Sequence, residues 1–198
     1  MPIRLERLRG ERIAEHQPAL ADLRIAVFRA FPYLYDGSPD YEARYLEAYA
    51  RHPGSVVIGA FDGDRLVGAA TALPLVHEAA SIVDPVRHAG LDPARTIYFG
   101  ESVLLPDYRG QGTGVAFFAE REAHARTLGG VEHAVFCAVI RPTDHPRRPE
   151  GYVPLDAFWR KRGFAPMPGV IGRLTWQDLD EAGETPKPMQ FWSKRLAS

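Results

Sequence analysis

Arg109, Gly110, Gln111, Gly112, Thr113 and Gly114 follow the apolar run Val103-Leu104-Leu105-Pro106 and open a helix-forming segment. A strand that turns through glycines into a helix leaves backbone N–H groups unpaired at the positive end of the helix dipole. With no side chains in the way, a phosphate can approach those N–H groups closely. The turn is therefore a candidate diphosphate cradle. Just upstream, Glu101 stands two residues before Val103, so strand alternation puts both on one face. Apolar residues flank it, and such surroundings raise a carboxyl pKa and suit a general base working directly or through a water.

Other phosphate-binding turns fit less well. A Walker loop ends in Gly-Lys-Ser or Gly-Lys-Thr, and this turn has no lysine. A dinucleotide-binding turn spaces its glycines Gly-x-Gly-x-x-Gly directly after the strand. Here Gly110, Gly112 and Gly114 alternate, and Pro106 to Arg109 intervene. Glu132, about twenty residues on, precedes the next apolar run rather than ending it, which is the wrong place for a ribose-binding acid. An NAD(P)-binding domain is thus the weaker alternative. The pattern Gln/Arg-x-x-Gly-x-Gly/Ala, in contrast, is matched in full by Arg109 to Gly114.

In that motif the sequence resembles the GNAT superfamily, whose members bind the pyrophosphate of acetyl-CoA with this turn. Leu104-Leu105-Pro106-Asp107-Tyr108 matches the family's strand ending, and Ala157-Phe158-Trp159-Arg160-Lys161-Arg162-Gly163-Phe164 resembles its late helix, typically Phe-Tyr-x-Lys-x-Gly-Phe. The resemblance implies an N-acetyltransferase that uses acetyl-CoA as co-substrate, without a metal, on a small-molecule or peptide amine. It assigns cofactor contacts to Val103, Leu104, Leu105, Arg109 to Gly114 and Trp159, and a thioester-binding backbone N–H to Val103 or Leu104. It also turns Tyr33 and Tyr35 toward the acceptor. Trp159 stands where the family often has an acidic tyrosine, and an indole cannot supply a proton. Either solvent serves the departing thiolate or Tyr152 does. The family's frequent asparagine after the penultimate strand is missing, and the segment Arg141 to Gly151 takes its place. Trp159 also keeps open a reading from another class, a non-catalytic acyl-CoA-binding sensor module.

The elements that must carry these residues follow from periodicity. Ile3 to Leu8 alternates as an edge strand. Pro18 to Ala30 reads as a helix with Leu20, Leu23, Ala26 and Val27 on one face. A loop with Pro32 and Gly37 follows, then a helix with Ser38 as N-cap, Pro39 at its first position, and Tyr41, Tyr45, Leu46 and Tyr49 at helical spacing. Runs 55–61 and 65–71 form a hairpin around Asp62-Gly63-Asp64. Residues 76–95 read as helical pieces broken by Pro85, Gly90 and Pro93, a loop-rich insertion. Strand Tyr98 to Leu105 carries Glu101. The helix Gly112 to Thr127 has Val115, Phe118, Ala119, Glu122 and Ala125 near one stripe. Strand His133 to Ile140, helix Leu155 to Arg162 and strands 171–176 and 189–195 complete a mixed α/β chain with one β-α-β crossover.

Composition sets the bounds. The 198 residues suit one domain, and 45% hydrophobic with 25% charged residues are ordinary globular values. A net charge of −1 favours neither nucleic acid nor an anionic membrane as partner. One cysteine, Cys137, excludes an internal disulfide and a cysteine-based zinc site, and its apolar neighbours mark it as core. The seven histidines show no metal spacing. Charges at Arg4 and Glu6 interrupt any signal-peptide core, and no run reaches a membrane span, so a cytoplasmic location is expected. A homodimer stays open.

Overall fold

The structure, a computed structural model, describes residues 3–197. An antiparallel arm opens the sheet: β1 (Arg4–Leu8) on β2 (Val56–Asp62), and β2 on β3 (Arg65–Pro74). Gly63 turns the hairpin at φ +59°, a conformation that glycine takes without strain. The expected strand 98–105 is split into β4 (Thr96–Tyr98) and β5 (Ser102–Leu104). Then come β6 (His133–Val139), β7 (Ala165–Trp176) and β8 (Thr185–Arg195), in the order β1-β2-β3-β4-β6-β8-β7 with β5 on β3. β4 and β6 are parallel, so the chain between them must cross over, and α5 (Thr113–Leu128) makes that crossover. β7 begins earlier than expected, because a register shift between Pro166 and Ile171 lets the segment around its prolines stay in the sheet.

Alternation along β2 and β3 divides the core. Val57, Phe61, Ala69 and Leu73 face α1 (Glu11–Glu15), α2 (Gln17–Phe28) and α3 (Pro39–Arg51), while Val56, Ile58, Val67 and Ala70 face α5. Three sequence expectations change here. In α2, Ala26 is exposed and Arg24 is buried in the face with Leu20 and Leu23, because a carboxylate partner awaits it. Ser38 holds the N-cap position of α3, yet its side chain makes no capping bond. Residues 76–95 are not loop-rich. They hold α4 (Ala80–His88), whose Ile82, Val83 and Val86 pack against Val135, Met189 and Phe191, and this burial outweighs Pro85.

The break between β4 and β5 has a definite register. β3 sets Leu73 opposite Tyr98 and Ala70 opposite Ser102, so Phe99, Gly100 and Glu101 oppose Thr71 and Ala72 alone. One extra residue is a β-bulge, which re-aims side chains and ends pairing.

Candidate active site

The bulge opens a gap. β6 pairs with β4 through Tyr98 opposite Val135, and Phe99 N–H donates to Val135 O at 2.8 Å. Beyond that point β5 stays on β3, while β6 continues on β8 to Val139. Leu105 N–H donates to Val67 O at 3.0 Å, which fixes the phase of the ladder. Alternation then points the N–H groups of Leu105 and Val103 at β3, and those of Leu104 and Ser102 into the gap. Of the two positions left open for a thioester-binding N–H, Leu104 is the one that faces the gap. Val103 and Leu105, also assigned to the cofactor by the resemblance, both turn their N–H groups to β3, and the Val103 side chain is fully buried under α2 and α3.

At the outer end of the gap lies the glycine turn. Gly110 and Gly112 sit at φ +75° and +89°, and Gly112 is the N-cap of α5. The N–H groups of Gly110, Gln111, Gly112, Thr113 and Gly114 donate to no acceptor among the described residues. A Cβ at Gly110 or Gly112 would meet nothing within 4 Å, so the space before these N–H groups is open. Arg109 Nε folds back to Leu104 O at 3.1 Å, and Gln111 Nε2 donates to Asp107 O at 2.9 Å.

Two cavities meet behind the gap. One, of about 480 Å³, runs between Ser102 and Phe136–Arg141 and is closed by Tyr152 and Trp159. The other, of about 560 Å³, is walled by Tyr35, Tyr41, Tyr45, Trp176 and Glu78. Phe28, Tyr33, Gly100, Glu101 and Cys137 line both. Glu101 thus stands at the junction. It shares a face with Val103, but its surroundings are not apolar: Arg24 ion-pairs with it, and Tyr45 Oη donates to Oε2 at 2.6 Å.

The model of the acetyltransferase (GNAT) family matches residues 20–164. The chain belongs to the GNAT acetyltransferase family. The chain's GNAT fold also recurs in solved structures. An N-acetyltransferase from Staphylococcus aureus Mu50 is 13% identical, with TM-score 0.61 and 100% of each chain covered. A ribosomal-protein-alanine N-acetyltransferase from Brucella melitensis is 18% identical, with TM-score 0.60, covering 99% of this chain and 100% of that one. A PaiA N-acetyltransferase from Thermoplasma acidophilum, in complex with coenzyme A, is 15% identical, with TM-score 0.57, covering 98% and 99%. Among curated proteins none matches the chain.

The GNAT scaffold brings the other sequence-assigned residues to these cavities in different ways. Trp159, on α6 (Asp156–Lys161), packs with centroids 5.1 Å from Phe136 and 5.1 Å from Trp192 and lines the gap-side cavity. Tyr152 stands edge-on to Phe31 at 4.7 Å and under Arg148, and burial holds its phenol above the ordinary value. The Tyr33 ring is wedged against Phe28 and Trp176, and burial raises its pKa strongly. Tyr35 lines the second cavity, and burial, then Glu42, raises its pKa. Cys137 is core: burial pushes its thiol up to about 12. Among the described residues no group of His, Cys, Asp or Glu could hold a metal ion, and no helix is long and apolar enough to cross a membrane.

Several residues of this GNAT site escape sequence reasoning. Arg121 of α5 is 1% exposed, and stacks over Phe99 and Phe118. Its Nη1 donates to Glu101 O at 3.1 Å and Thr71 O at 3.3 Å, and Nη2 to Ser102 Oγ at 2.9 Å. It adds a second donor to two carbonyls at the bulge that already accept from Thr71 N–H and Gly100 N–H, and burial lowers its pKa to about 9. Arg141, just past β6, donates from Nε to Pro32 O and from Nη2 to Tyr33 O, each at 2.7 Å, and clasps Asp178. Gly100 leaves room for phenols: a Cβ there would stand 2.5 Å from both Thr71 Oγ1 and Tyr49 Oη. The helical spacing of Tyr41, Tyr45 and Tyr49 is the one visible signal.

Proposed function

We propose that this GNAT-family chain transfers an acetyl group from acetyl-CoA to the amine of a small acceptor. The observation that carries this reading is the gap between β5 and β6, whose cavity runs to Glu101, where the second cavity begins. The residues present suit the co-substrate: a run of unpaired N–H groups from Gly110 to Gly114 for the pyrophosphate, with open space before them, and the gap-facing N–H of Leu104 for the thioester carbonyl. Acetyl-CoA, when bound, supplies the activated acyl group.

The chain's own groups then do the following. Leu104 N–H stabilises the negative charge that develops on the carbonyl oxygen. Glu101 takes a proton from the acceptor nitrogen, directly or through a water. Tyr152 is a weak acid where it stands, so solvent provides most of the proton for the departing thiolate. Aromatic walls with Glu78 and Glu101 favour an acceptor that arrives as an ammonium on an apolar body.

Calorimetry with acetyl-CoA and an amine panel tests this. Wild type should bind acetyl-CoA and acetylate at least one amine. Gly112→Asp, which places a carboxylate before the turn, should abolish binding with the fold intact. Glu101→Gln should lower kcat by roughly a hundredfold, a loss that shrinks as pH rises and the amine deprotonates unaided. Normal binding by Gly112→Asp would refute the cradle. Binding without turnover of any amine would leave an acyl-CoA sensor module.

A further inference from the structure

Glu101 is one end of a buried chain of oxygens. Tyr45 Oη donates to Glu101 Oε2 at 2.6 Å and lies 3.1 Å from Tyr49 Oη, and Tyr49 Oη lies 3.1 Å from Glu78 Oε1. Glu78 follows the 3-10 turn Leu75–His77, on an element unrelated to α3, and lines the acceptor-side cavity as Glu101 does. Gly100 is what allows both hydroxyls to come so close to the bulge.

The protons in this chain can be counted. With both carboxyls ionised, each phenol gives its one proton to its own carboxylate, and the Tyr45–Tyr49 contact has none. One added proton completes every hydrogen bond, because the phenols can then donate in one direction along the chain. The chain is therefore built to accept a single further proton.

We propose that Glu78 is the terminal proton acceptor of the site, receiving through Tyr45 and Tyr49 the proton that Glu101 takes from the acceptor ammonium. The proposal rests on the acetyl-transfer reading above. In the step, an N–H bond of the ammonium breaks and an O–H bond forms on Glu101. Glu101 passes a proton to Tyr45 Oη, Tyr45 its own to Tyr49 Oη, and Tyr49 its own to Glu78. Glu101 returns to a carboxylate and Glu78 becomes a carboxylic acid, which later loses its proton to water in the acceptor-side cavity. Of the two N–H protons an ammonium must lose beyond its amide product, one enters this chain and the other matches the departing thiolate. The direction of transfer agrees with burial, which raises the pKa of Glu78, with Glu101 adding to the rise. The charged and titratable groups that face the chain are Arg24 of α2, Tyr33 of the loop after it, Tyr41 and Glu42 of α3, Tyr98 of β4, Arg121 of α5 and Cys137 of β6.

Glu78→Gln places a permanent N–H donor at Tyr49 and holds the chain in its filled state at every pH. Together with Tyr49→Phe it provides the test. In wild type, kcat/KM should fall on the acid side as Glu78 fills, above the ordinary carboxyl value of about 4.3. Each variant should lose about tenfold in kcat/KM, less than removal of the base itself, and should lack that acid limb. The double variant should lose no more than either single one. Acetyl-CoA affinity by calorimetry should stay at the wild-type value. A wild-type rate, or a wild-type acid limb, in Glu78→Gln overturns the proposal. A second readout does not need turnover: carbon NMR of glutamate-labelled protein should show one carboxyl titrating high, absent in Glu78→Gln and moved down in Glu101→Gln. If Glu78 titrates identically with and without Glu101, the relay is overturned. If wild type acetylates no amine, the acetyl-transfer reading fails, and the titration still decides whether the two carboxyls are coupled.

Discussion

Gly100 shows how much of the site hangs on a single missing carbon. Its need is steric, since the oxygens of Thr71 and Tyr49 occupy the place of a Cβ. Gly100→Ala should cost roughly 1–3 kcal/mol of stability by overpacking, read as a lower denaturation midpoint. It should also lower kcat/KM, because Tyr45 and Tyr49 must withdraw from Glu101. Adding Tyr49→Phe should recover part of the stability; no recovery would place the strain elsewhere. Tyr152 is a contrasting case. Its burial against Phe31 makes it a poor acid, so Tyr152→Phe should cost less than about a hundredfold in kcat. Abolished turnover in a folded Tyr152→Phe protein would make it the acid after all.

At the scale of elements, α5 is the most informative. Of its expected stripe, Phe118 and Ala125 are buried but Val115 and Ala119 are exposed, and Phe117, Arg121 and His124 complete the buried face. Two polar residues in the core widen the buried face away from Val115 and Ala119. His124 is fully buried, with Nε2 2.9 Å from Gly54 O and Nδ1 2.6 Å from Arg9 Nη2. Those partners require a neutral ring that donates from Nε2 and accepts at Nδ1, and burial lowers its pKa. The unfolded chain takes up that proton near pH 6.5, and the folded chain only at lower pH. Stability from this site is therefore complete above about pH 6.5 and is lost as the pH falls below it, by at most about 1.4 kcal/mol per pH unit. Thermal unfolding at neutral and mildly acidic pH should show a steeper acid loss in wild type than in His124→Gln. Equal slopes would remove His124 from the account.

Across the whole molecule, distant segments wall the gap-side cavity, which Pro32 and Arg141 line, and reach the second cavity through Tyr33, which lines both. The Arg141 fork holds carbonyls at Pro32 and Tyr33 and the carboxylate of Asp178, so the end of β6, the loop after α2 and the turn after β7 move as one wall. Arg141→Lys keeps the charge and loses the fork. It should raise the acceptor KM by several fold, on the order of one lost charged hydrogen bond, through the freed Tyr33, and by more than it weakens acetyl-CoA binding. An equal loss in both would mean that the two cavities are not separately supported. Replacing Tyr33 and Tyr35 together by alanine should act on the same parameter.

What could be read in the residues alone was local. The glycine turn is a contiguous motif whose donors come from its own backbone, so Arg109 to Gly114 named itself, and so did the hairpin at Gly63 and the apolar strand β6. Glu101 could be proposed for a similar reason, by strand alternation with Val103 two residues on. The rest is tertiary. The bulge at Phe99 to Glu101 is defined by register against β3, and only that register separates Leu104 from Val103. Arg24, Glu78, Arg121 and Arg141 are polar residues in buried or half-buried places, which periodicity assigns to the surface. Their burial is permitted by partners tens of positions away, and a buried polar group without its partner costs too much to form. The proposed cradle is therefore written in adjacent residues, while the proposed acceptor-side chemistry rests on folded elements that bring separate charges and hydroxyls within hydrogen-bond reach.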